Sequence, residues 1–320
     1  MYRIGIDLGG TNIAAGIVND NFEIICKASI PTGAERTGAE IAADMAGICH
    51  TVCREAGIDP SEIASVGIAS PGIANHDAGI IEYCCNIPSF NQFPICDAVK
   101  AGFPVENVFV ENDANAAAWG EAIAGAAKGT ANSVMVTLGT GVGGGVIIDN
   151  KVYSGFNGAG AELGHMVIVT DGVPCSCGRK GCWEAYSSAT ALIRMTKEKI
   201  EECEAQGRKT IMSDMVAKKG KVTGRTSFDG MRAGDEAAKE VVDTYLHYLA
   251  CGIANLLNIF QPEILSIGGG VSGEGQALLD ALLPLIRKEC YGGSTVKQTE
   301  IRIATLGNDA GIVGAAVLGL

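Results

Sequence analysis

Two stretches of the chain, 130 positions apart, share a pattern of apolar runs around a glycine-rich turn. Residues 2–18 place alternating apolar side chains on both sides of a Leu-Gly-Gly-Thr-Asn turn. Residues 134–149 repeat the arrangement, so that Leu8 corresponds to Leu138. Each stretch predicts a β-hairpin with a glycine tip. The likeness predicts a duplicated domain whose two tips face each other across a cleft, and unrelated glycine-rich hairpins are the alternative.

The rest of the pattern alternates helices with short apolar strands, which is typical of an α/β protein. We expect an N-terminal α/β domain over 1–117, completed by a buried apolar helix over 309–320, and a larger C-terminal α/β domain over 118–308. The longest helix, over 235–259, has apolar residues at the helical period and is interpreted as core. The other predicted elements are helices over 39–56, 114–127 and 188–206, a polar hairpin-like stretch before the longest helix, and strands over 66–69, 108–110 and 264–267.

Composition and charge exclude several classes of protein. A length of 320 residues suits two domains, and 47% hydrophobic with 19% charged residues excludes disorder. The net charge of −12 argues against a nucleic-acid surface. Twelve scattered cysteines without a signal peptide favour reduced thiols and a cytoplasmic protein. Residues 129–148 carry no charge, but six glycines make them a poor membrane helix, so no membrane segment is expected.

The glycine tips have the chemistry of a phosphate site. Glycine allows backbone N–H groups to approach an anion closely. Asp7, at the end of the first strand, could hold Mg²⁺ or its water shell. The glycine tips and this aspartate together indicate a nucleoside triphosphate. The chain lacks the Gly-Lys-Ser/Thr of a P-loop. A dinucleotide fingerprint does match at 139–144, but strand rather than helix is predicted to follow it, so the NAD interpretation fails.

A cluster of thiols and one imidazole predicts a metal site. His165 is followed by Cys175, Cys177 and Cys182 within eighteen residues. Thiolates and imidazole are preferred ligands of Zn²⁺, and four of them complete a structural tetrahedral site. Ordinary cysteines in a cysteine-rich chain are the alternative interpretation. We refer to residues 175–182 as the knuckle.

Two glutamates bracket this metal cluster. Glu162 precedes His165 by three residues, and Glu184 follows the last cysteine. We expect the metal loop to hold Glu162, His165 and Glu184 as polar groups facing one cavity, which would suit a polyhydroxylated ligand. The alternative is that both glutamates are solvated surface residues.

Polar residues also follow the predicted strand over 108–110. Asn112 and Asp113 lie between this strand and a helix of small residues. The carboxyl ends of parallel strands are where open α/β sheets bind ligands. Asp113 could instead be only the cap of its helix.

Taken together, these motifs resemble the ROK family of bacterial sugar kinases, in particular its glucokinases. The resemblance covers nearly the whole chain and includes the segments Asp7–Asn12, Ser70–Gly72, Glu111–Ala116, Leu138–Gly141, Glu162–His165, Cys175–Glu184, Pro262–Glu263 and Gly268–Ser272. It implies two ribonuclease H-like domains of the actin and hexokinase type, with an interdomain cleft that closes on ATP and sugar. The implied reaction is transfer of the γ-phosphoryl group of ATP, with Mg²⁺, to the 6-hydroxyl of a hexose, glucose first.

The resemblance also implies the roles of individual residues. Asp113 would be the catalytic base. Sugar hydroxyls would be bound by Gly72, Asn86, Asn112, Asp113, Glu162, His165 and Glu184. The nucleotide would be held by Asp7, Gly9, Gly10, Thr11, Asn12, Thr140, Gly141, Gly269 and Gly270. One departure concerns the sugar pocket, because family glucokinases often have an aromatic residue, commonly Trp, shortly after the Asn86 position, where this chain has Ile-Pro-Ser-Phe-Asn.

Other functions within and beyond the family are weighed against this one. A kinase of N-acetylglucosamine or N-acetylmannosamine would share the motifs. A sugar-responsive repressor would carry a helix-turn-helix domain, whereas this chain starts at its first strand and is acidic. Actin-like or chaperone-like ATPases have no need of the knuckle. We expect a hexose and ATP as small-molecule partners, no nucleic acid or membrane partner, a structural zinc, and a homodimer or homotetramer.

Overall fold

The computed structural model describes residues 1–320, apart from the side chain at position 294. The strands are β1 (Tyr2–Leu8), β2 (Asn12–Val18), β3 (Ile24–Pro31), β4 (Ile63–Ser70), β5 (Ile73–Asn75), β6 (Ile80–Tyr83), β7 (Asn107–Asn112), β8 (Ser133–Leu138), β9 (Val142–Ile148), β10 (Lys151–Val152), β11 (Ile264–Gly268) and β12 (Glu300–Ile303). The helices are α1 (Gly38–Ala56), α2 (Ile95–Gly102), α3 (Asp113–Ile123), α4 (Glu184–Ser187), α5 (Ala189–Ala205), α6 (Ile211–Lys219), α7 (Thr226–Arg232), α8 (Glu236–Phe260), α9 (Gln276–Glu289) and α10 (Ala310–Ala316).

The chain forms two compact units. The first comprises Met1–Met135, Gly144–Ala161 and Ala304–Leu320, and the second comprises Val136–Gly143 and Glu162–Ile303. The predicted domain boundary after residue 117 stays a prediction. Within the described chain, no helix is both long and apolar enough to cross a membrane.

The first sheet has the strand order β3-β2-β1-β4-β7. Strands β1 to β3 pair antiparallel, whereas β1, β4 and β7 run parallel. Its apolar residues and those of α1 and α2 form one buried core, because alternate side chains of the strands face the helices. The parallel strands therefore end together at one edge of the sheet, where Asp7 and Asn112 lie.

The second sheet has the order β10-β9-β8-β11-β12, the same arrangement of strands as the first. Its glycine-tipped hairpin, β8 and β9, takes the place of β1 and β2. Strands β9 and β10 pair antiparallel, and β11 pairs parallel with β12. Both predicted hairpins are confirmed, and the repeated order of strands is what a duplicated domain predicts.

Three predicted elements differ from the structure. The stretch expected to be a polar hairpin contains α6 and α7, because the Asp235 carboxylate accepts hydrogen bonds from Thr210 Oγ1 and Ile211 N and so fixes the start of α6. Helix α3 ends at Ile123 rather than at residue 127, since the buried Glu121 carboxylate accepts the Ala126 N–H and turns the chain. Helix α10 ends at Ala316 rather than at residue 320.

The backbone of helix α10 packs directly against the backbone of the first sheet. A Cβ atom on Gly5 of β1 would lie 1.8 Å from the Ile312 carbonyl oxygen, and one on Gly67 of β4 would lie 1.7 Å from the Ala315 oxygen. A Cβ on Gly314 would lie 1.7 Å from the Ala116 oxygen of α3. Any side chain at these positions would push the helix away, so glycine is required for this packing.

We predict that Gly67→Ala destabilises the protein by about 1–3 kcal/mol, because the new methyl group must displace α10. The matched control is Gly47→Ala on α1, where a Cβ would meet no atom within 4 Å. Alanine is the better helix former, so the control should stabilise by roughly 0.5–1 kcal/mol. Urea unfolding measures both. Equal stability of Gly67→Ala and the wild type would contradict the close packing.

Candidate functional site

In the first unit, the ends of three parallel strands bring polar residues into one row. Asp7 of β1 lies opposite Ala69 of β4, which lies opposite Glu111 of β7. One position further, Ser70 lies opposite Asn112. The register therefore brings Asp7 and Asn112 to the same edge of the sheet, as their positions at strand ends predicted.

Asn112, and not Asp113, is the N-cap of helix α3. Its Oδ1 accepts the N–H groups of Ala114 (3.0 Å) and Asn115 (3.2 Å), and its Nδ2 donates to the Gly72 carbonyl oxygen at 3.0 Å. Gly72 has a φ of +96°, and a Cβ there would lie 2.1 Å from the Tyr83 oxygen. The interpretation of Asp113 as a simple cap is therefore wrong, and Asp113 begins the helix as its first residue.

Asp113 and Asp7 form an acidic pair. Burial raises the pKa of Asp113, and the N–H of Ala114, which donates to its Oδ1 at 2.7 Å, opposes that rise. Burial also raises the pKa of Asp7 to about 6, with a further contribution from the charge of Asp113. A Cβ on Gly311 of α10 would lie 2.7 Å from the Asp7 carboxylate, so the helix covers that group. Two desolvated carboxylates in one place are the kind of oxygen ligands that suit Mg²⁺.

The first glycine tip presents its residues to solvent. The Gly9 N–H donates to the Asn12 oxygen at 2.9 Å, and Thr32 anchors the turn through the oxygens of Gly9 and Thr11. Gly10, Thr11 and Asn12 are exposed at the tip. Asn86 is also exposed, and its Oδ1 lies 3.3 Å from the Cys85 sulfur. No described hydrogen bond joins Asn86 to Asn112 or Asp113, so its role at the sugar stays a prediction.

In the second unit, the structure gathers all four predicted metal ligands. The ligand atoms of His165, Cys175, Cys177 and Cys182 lie within 4.8 Å of one another. The Cys177 and Cys182 sulfurs are 3.7 Å apart, as are the Cys175 sulfur and His165 Nδ1. Tetrahedral Zn²⁺ with bonds of about 2.3 Å to sulfur requires edges of roughly 3.8 Å between sulfurs. The residues present therefore fit a structural zinc ion.

The two ring nitrogens of His165 have different surroundings. Nδ1 faces the thiols, so Nε2 is the nitrogen that remains for a ligand. His165 and Glu162 lie at the two ends of one short turn, where the His165 N–H donates to the Glu162 oxygen at 3.1 Å. A Cβ on Gly164 would lie 2.0 Å from the Val142 oxygen, which places this turn directly against β9.

Glu184 connects the knuckle to the second glycine tip. Its Oε2 accepts the Val142 N–H at 3.1 Å, and its Oε1 accepts the Ser176 hydroxyl at 3.2 Å. A Cβ on Gly141 would lie 2.2 Å from Oε2, so only glycine allows this approach. Glu184 therefore supports the second glycine tip, in addition to any contact with a sugar.

The third glycine tip packs on the second. Gly269, with a φ of +80°, would place a Cβ 2.6 Å from the backbone of Leu138, whereas Gly270 faces open space. Thr140 accepts a hydrogen bond on its carbonyl oxygen from Thr190 Oγ1 at 2.7 Å. The predicted nucleotide residues of this unit, Thr140, Gly141, Gly269 and Gly270, thus belong to one assembly of turns.

A pocket of about 410 Å³ lies beside these turns, which is a suitable size for a small ligand. The sequence analysis did not single out several of its lining residues, namely Ser176, Ser188, Thr190 and Arg194. A signal was available, because Ser188 is a typical N-cap and the start of the following helix faces the pocket.

Comparisons with known proteins agree on one family. The model of the ROK family matches residues 3–320. The chain is 37% identical over 319 residues to a glucokinase of Halalkalibacterium halodurans, covering 99% of this chain and 94% of that protein. It is also 37% identical over 317 residues to a glucokinase of Streptomyces coelicolor, covering 98% of this chain and 96% of that protein.

A solved structure agrees with these relatives. The ROK family glucokinase from Streptomyces griseus, in complex with glucose and AMPPNP, is 34% identical, has a TM-score of 0.81 and is covered over 99% of both chains. The chain belongs to the ROK family, and its fold is the α/β fold of the ROK sugar kinases. The fold class predicted from the sequence is confirmed.

We predict about one zinc ion per chain in the purified protein, and its loss in Cys177→Ser, because one thiolate of four is removed. Cys85→Ser, a change at an exposed cysteine outside the cluster, is the control and should keep its metal. Elemental analysis of the three proteins decides the matter. Metal-free wild-type protein with an intact fold would contradict the zinc site.

The raised pKa of Asp7 predicts how stability depends on pH. A carboxyl group with a folded pKa of about 6 stabilises the fold below pH 3.8, and that contribution is lost as the pH rises through 6. Asp7→Asn should therefore be more stable than the wild type at pH 8, by up to about 3 kcal/mol, and by only about 1 kcal/mol at pH 4.5.

Urea unfolding without magnesium measures this difference at the two pH values. Asp20→Asn is a control of opposite sign, because the N-terminal amine and Arg3 lower the pKa of Asp20. That variant should lose stability at pH 8 and converge with the wild type at acidic pH. An equal gap between Asp7→Asn and the wild type at pH 4.5 and 8 would contradict the assignment.

Proposed function

We propose that the protein is an ATP-dependent glucokinase, which transfers the γ-phosphoryl group of ATP to the 6-hydroxyl of glucose. The observation that carries the proposal is the acidic end of the first sheet. There Asn112, rather than Asp113, is the N-cap of helix α3. Burial raises the pKa of Asp113. The similarity to glucokinases over nearly the whole chain supports the same reaction.

Asp113 is the proposed general base. A carboxylate whose pKa is raised by burial is a stronger base than an ordinary aspartate. It accepts the proton of the sugar 6-hydroxyl as that oxygen attacks the γ-phosphorus, and the bond from phosphorus to the β,γ-bridging oxygen of ATP breaks. Asn112 bonds a second hydroxyl and keeps the start of α3 in place.

Charge neutralisation is the main demand of phosphoryl transfer. Asp7 is the proposed ligand of Mg²⁺ or its water shell, and the backbone N–H groups of the glycine tips face the phosphates. These tips comprise Gly9, Gly10, Thr11 and Asn12 in the first unit, and Thr140, Gly141, Gly269 and Gly270 in the second.

The remaining sugar hydroxyls are assigned to residues around the knuckle and to one loop. Glu162, Nε2 of His165 and Glu184 can each bond hydroxyl groups, as can Asn86 and the Gly72 backbone. A zinc ion held by His165 and the three cysteines would brace these groups, because four protein ligands leave it no open position for catalysis. A sugar that lacks a matching hydroxyl leaves a polar group unpaired, at a cost of about 1–3 kcal/mol.

We predict that Asp113→Asn lowers kcat by roughly 10²–10⁴ while glucose still binds, because an amide accepts no proton at neutral pH. Stopped or continuous assays of ADP release give kcat, and calorimetry gives glucose affinity. Asp97→Asn, on α2, changes an aspartate away from the strand ends and is the control. Near-normal turnover of Asp113→Asn would remove Asp113 from its proposed role.

The preferred sugar is tested with a panel of substrates. We expect kcat/KM for glucose to exceed the values for mannose, fructose, N-acetylglucosamine and N-acetylmannosamine. A tenfold advantage of either acetylated sugar would make the protein an N-acetylhexosamine kinase of the same family, and the phosphoryl-transfer chemistry would be unchanged.

A further inference from the structure

We propose that Phe156 is a sugar-binding residue, whose ring packs against the C–H groups on one face of the hexose. The inference rests on the proposed function, because it adds one apolar contact to the sugar site assigned there. The sequence analysis did not single out Phe156, which lies six residues before Glu162 in the chain. Phe156 acts on sugar affinity and takes no part in the chemistry.

The Phe156 side chain is fully exposed, with a relative exposure of 102%. A different environment surrounds the aromatic residues that follow Asn86. Phe90 is fully buried there and stacks on Phe93, with ring centroids 5.2 Å apart. The segment after Asn86 therefore gives its first aromatic ring to the core, whereas Phe156 presents its ring to solvent. An apolar ring in water gains free energy when a ligand covers it.

The loop that carries Phe156, residues 154–160, is closed by its own backbone. The Gly160 N–H donates to the Ser154 oxygen at 2.8 Å, which joins the two ends of the loop. A Cβ on Gly160 would lie 2.8 Å from the nitrogen of Gly155, so the two ends are in direct contact. Gly155 and Gly158 have φ values of +76° and +74°, which glycine adopts readily. Phe156 is therefore held on a defined turn.

The Phe156 loop packs on the strand that begins directly after Gly72. A Cβ on Gly158 would lie 2.3 Å from the Ala74 oxygen, so the loop backbone touches β5. The Gly72 oxygen accepts Asn112 Nδ2 at 3.0 Å. All of these residues belong to the first unit. Two direct contacts thus connect the Phe156 loop to Asn112, one of the residues assigned to the sugar.

The chemistry of a hexose explains what an aromatic ring adds to this site. Asn112, Asp113 and the Gly72 backbone can pair with hydroxyl groups, but they offer nothing to the apolar surface of the sugar. β-Glucopyranose has every hydroxyl equatorial, so both faces of its ring present C–H groups. Ligand sites commonly combine a few polar groups with aromatic side chains that cover such surface. Phe156 is the residue we assign to this task.

The kinetic test compares Phe156→Ala with Phe156→Tyr, which keeps an aromatic ring. We expect KM for glucose to rise by roughly 5–30-fold in Phe156→Ala, because about half of a ring no longer leaves water on binding. The value of kcat should change less than about twofold, since the contact is the same before and during phosphoryl transfer. Phe156→Tyr should retain the wild-type KM. An unchanged KM in Phe156→Ala would overturn the proposal.

Two controls make this comparison specific. Tyr291→Ala removes another exposed aromatic residue, which is 92% exposed and lies in the second unit. Its KM for glucose should equal that of the wild type. The Tm of Phe156→Ala should also equal that of the wild type, because the ring is exposed and supports no packing. A higher KM with an unchanged Tm excludes a merely structural role.

Phe156→Trp gives a measurement that needs no turnover. The two native tryptophans, Trp119 and Trp183, are 8% and 0% exposed, so the introduced indole is the solvent-exposed emitter. In the absence of ATP, glucose should shift its emission to shorter wavelength and protect it from quenching by acrylamide. Neither effect at a glucose concentration that saturates the variant, as measured by calorimetry, would overturn the proposal.

A second copy of this chain is the alternative occupant of the exposed ring. In that case Phe156→Ala would lower the mass in sedimentation and leave KM for glucose unchanged, and the proposal would be wrong. Failure of the proposed function has a different signature. A wild type that binds glucose but phosphorylates no hexose would refute the kinase. Glucose affinities of the wild type and Phe156→Ala would then still decide the ring contact. A wild type that binds no hexose would refute both.

Discussion

The backbone contact between helix α10 and the first sheet is the constraint on which the acidic site depends. Glycines at positions 5, 67 and 314 let the helix touch β1, β4 and α3 without intervening side chains. The start of the same helix covers Asp7, and α3 carries Asp113 at its first residue. Burial of Asp7, and therefore its raised pKa, follows from this packing. A helix near the end of the chain thus sets the electrostatics of residues near its beginning.

In the second unit, the knuckle supports the glycine turns through one side chain. Glu184 receives hydrogen bonds from Val142 of the tip and from Ser176 of the knuckle. Cross-linking the knuckle with a metal ion would hold Glu184 in this position, although the ion takes no part in the chemistry. Two means therefore serve the same purpose, close packing in the first unit and, once a metal ion is bound by the four ligands, a metal brace in the second. Both means fix short loops that backbone propensity alone would leave mobile.

The sequence predicted those features that repeat or have a specific spacing, and it missed those that depend on tertiary contact. The two hairpins were predictable because their glycine tips and apolar runs recur, and the cluster of His165 with three cysteines because its spacing is specific. The cap of α3 was ambiguous, since Asn112 and Asp113 are both good caps and only the hydrogen bonds distinguish them. Helices α6 and α7 were missed because the Asp235 carboxylate, distant in sequence, fixes where α6 starts.

The proposed reaction of this chain is transfer of the γ-phosphoryl group of ATP to the 6-hydroxyl of glucose. The most direct measurement is phosphorus and carbon NMR of the products formed by purified protein from ATP, Mg²⁺ and glucose. We expect ADP and glucose 6-phosphate in equal amounts, and no product from 6-deoxyglucose, which lacks the attacking hydroxyl. Release of inorganic phosphate without a sugar phosphate, or phosphate attached at another carbon, would contradict it.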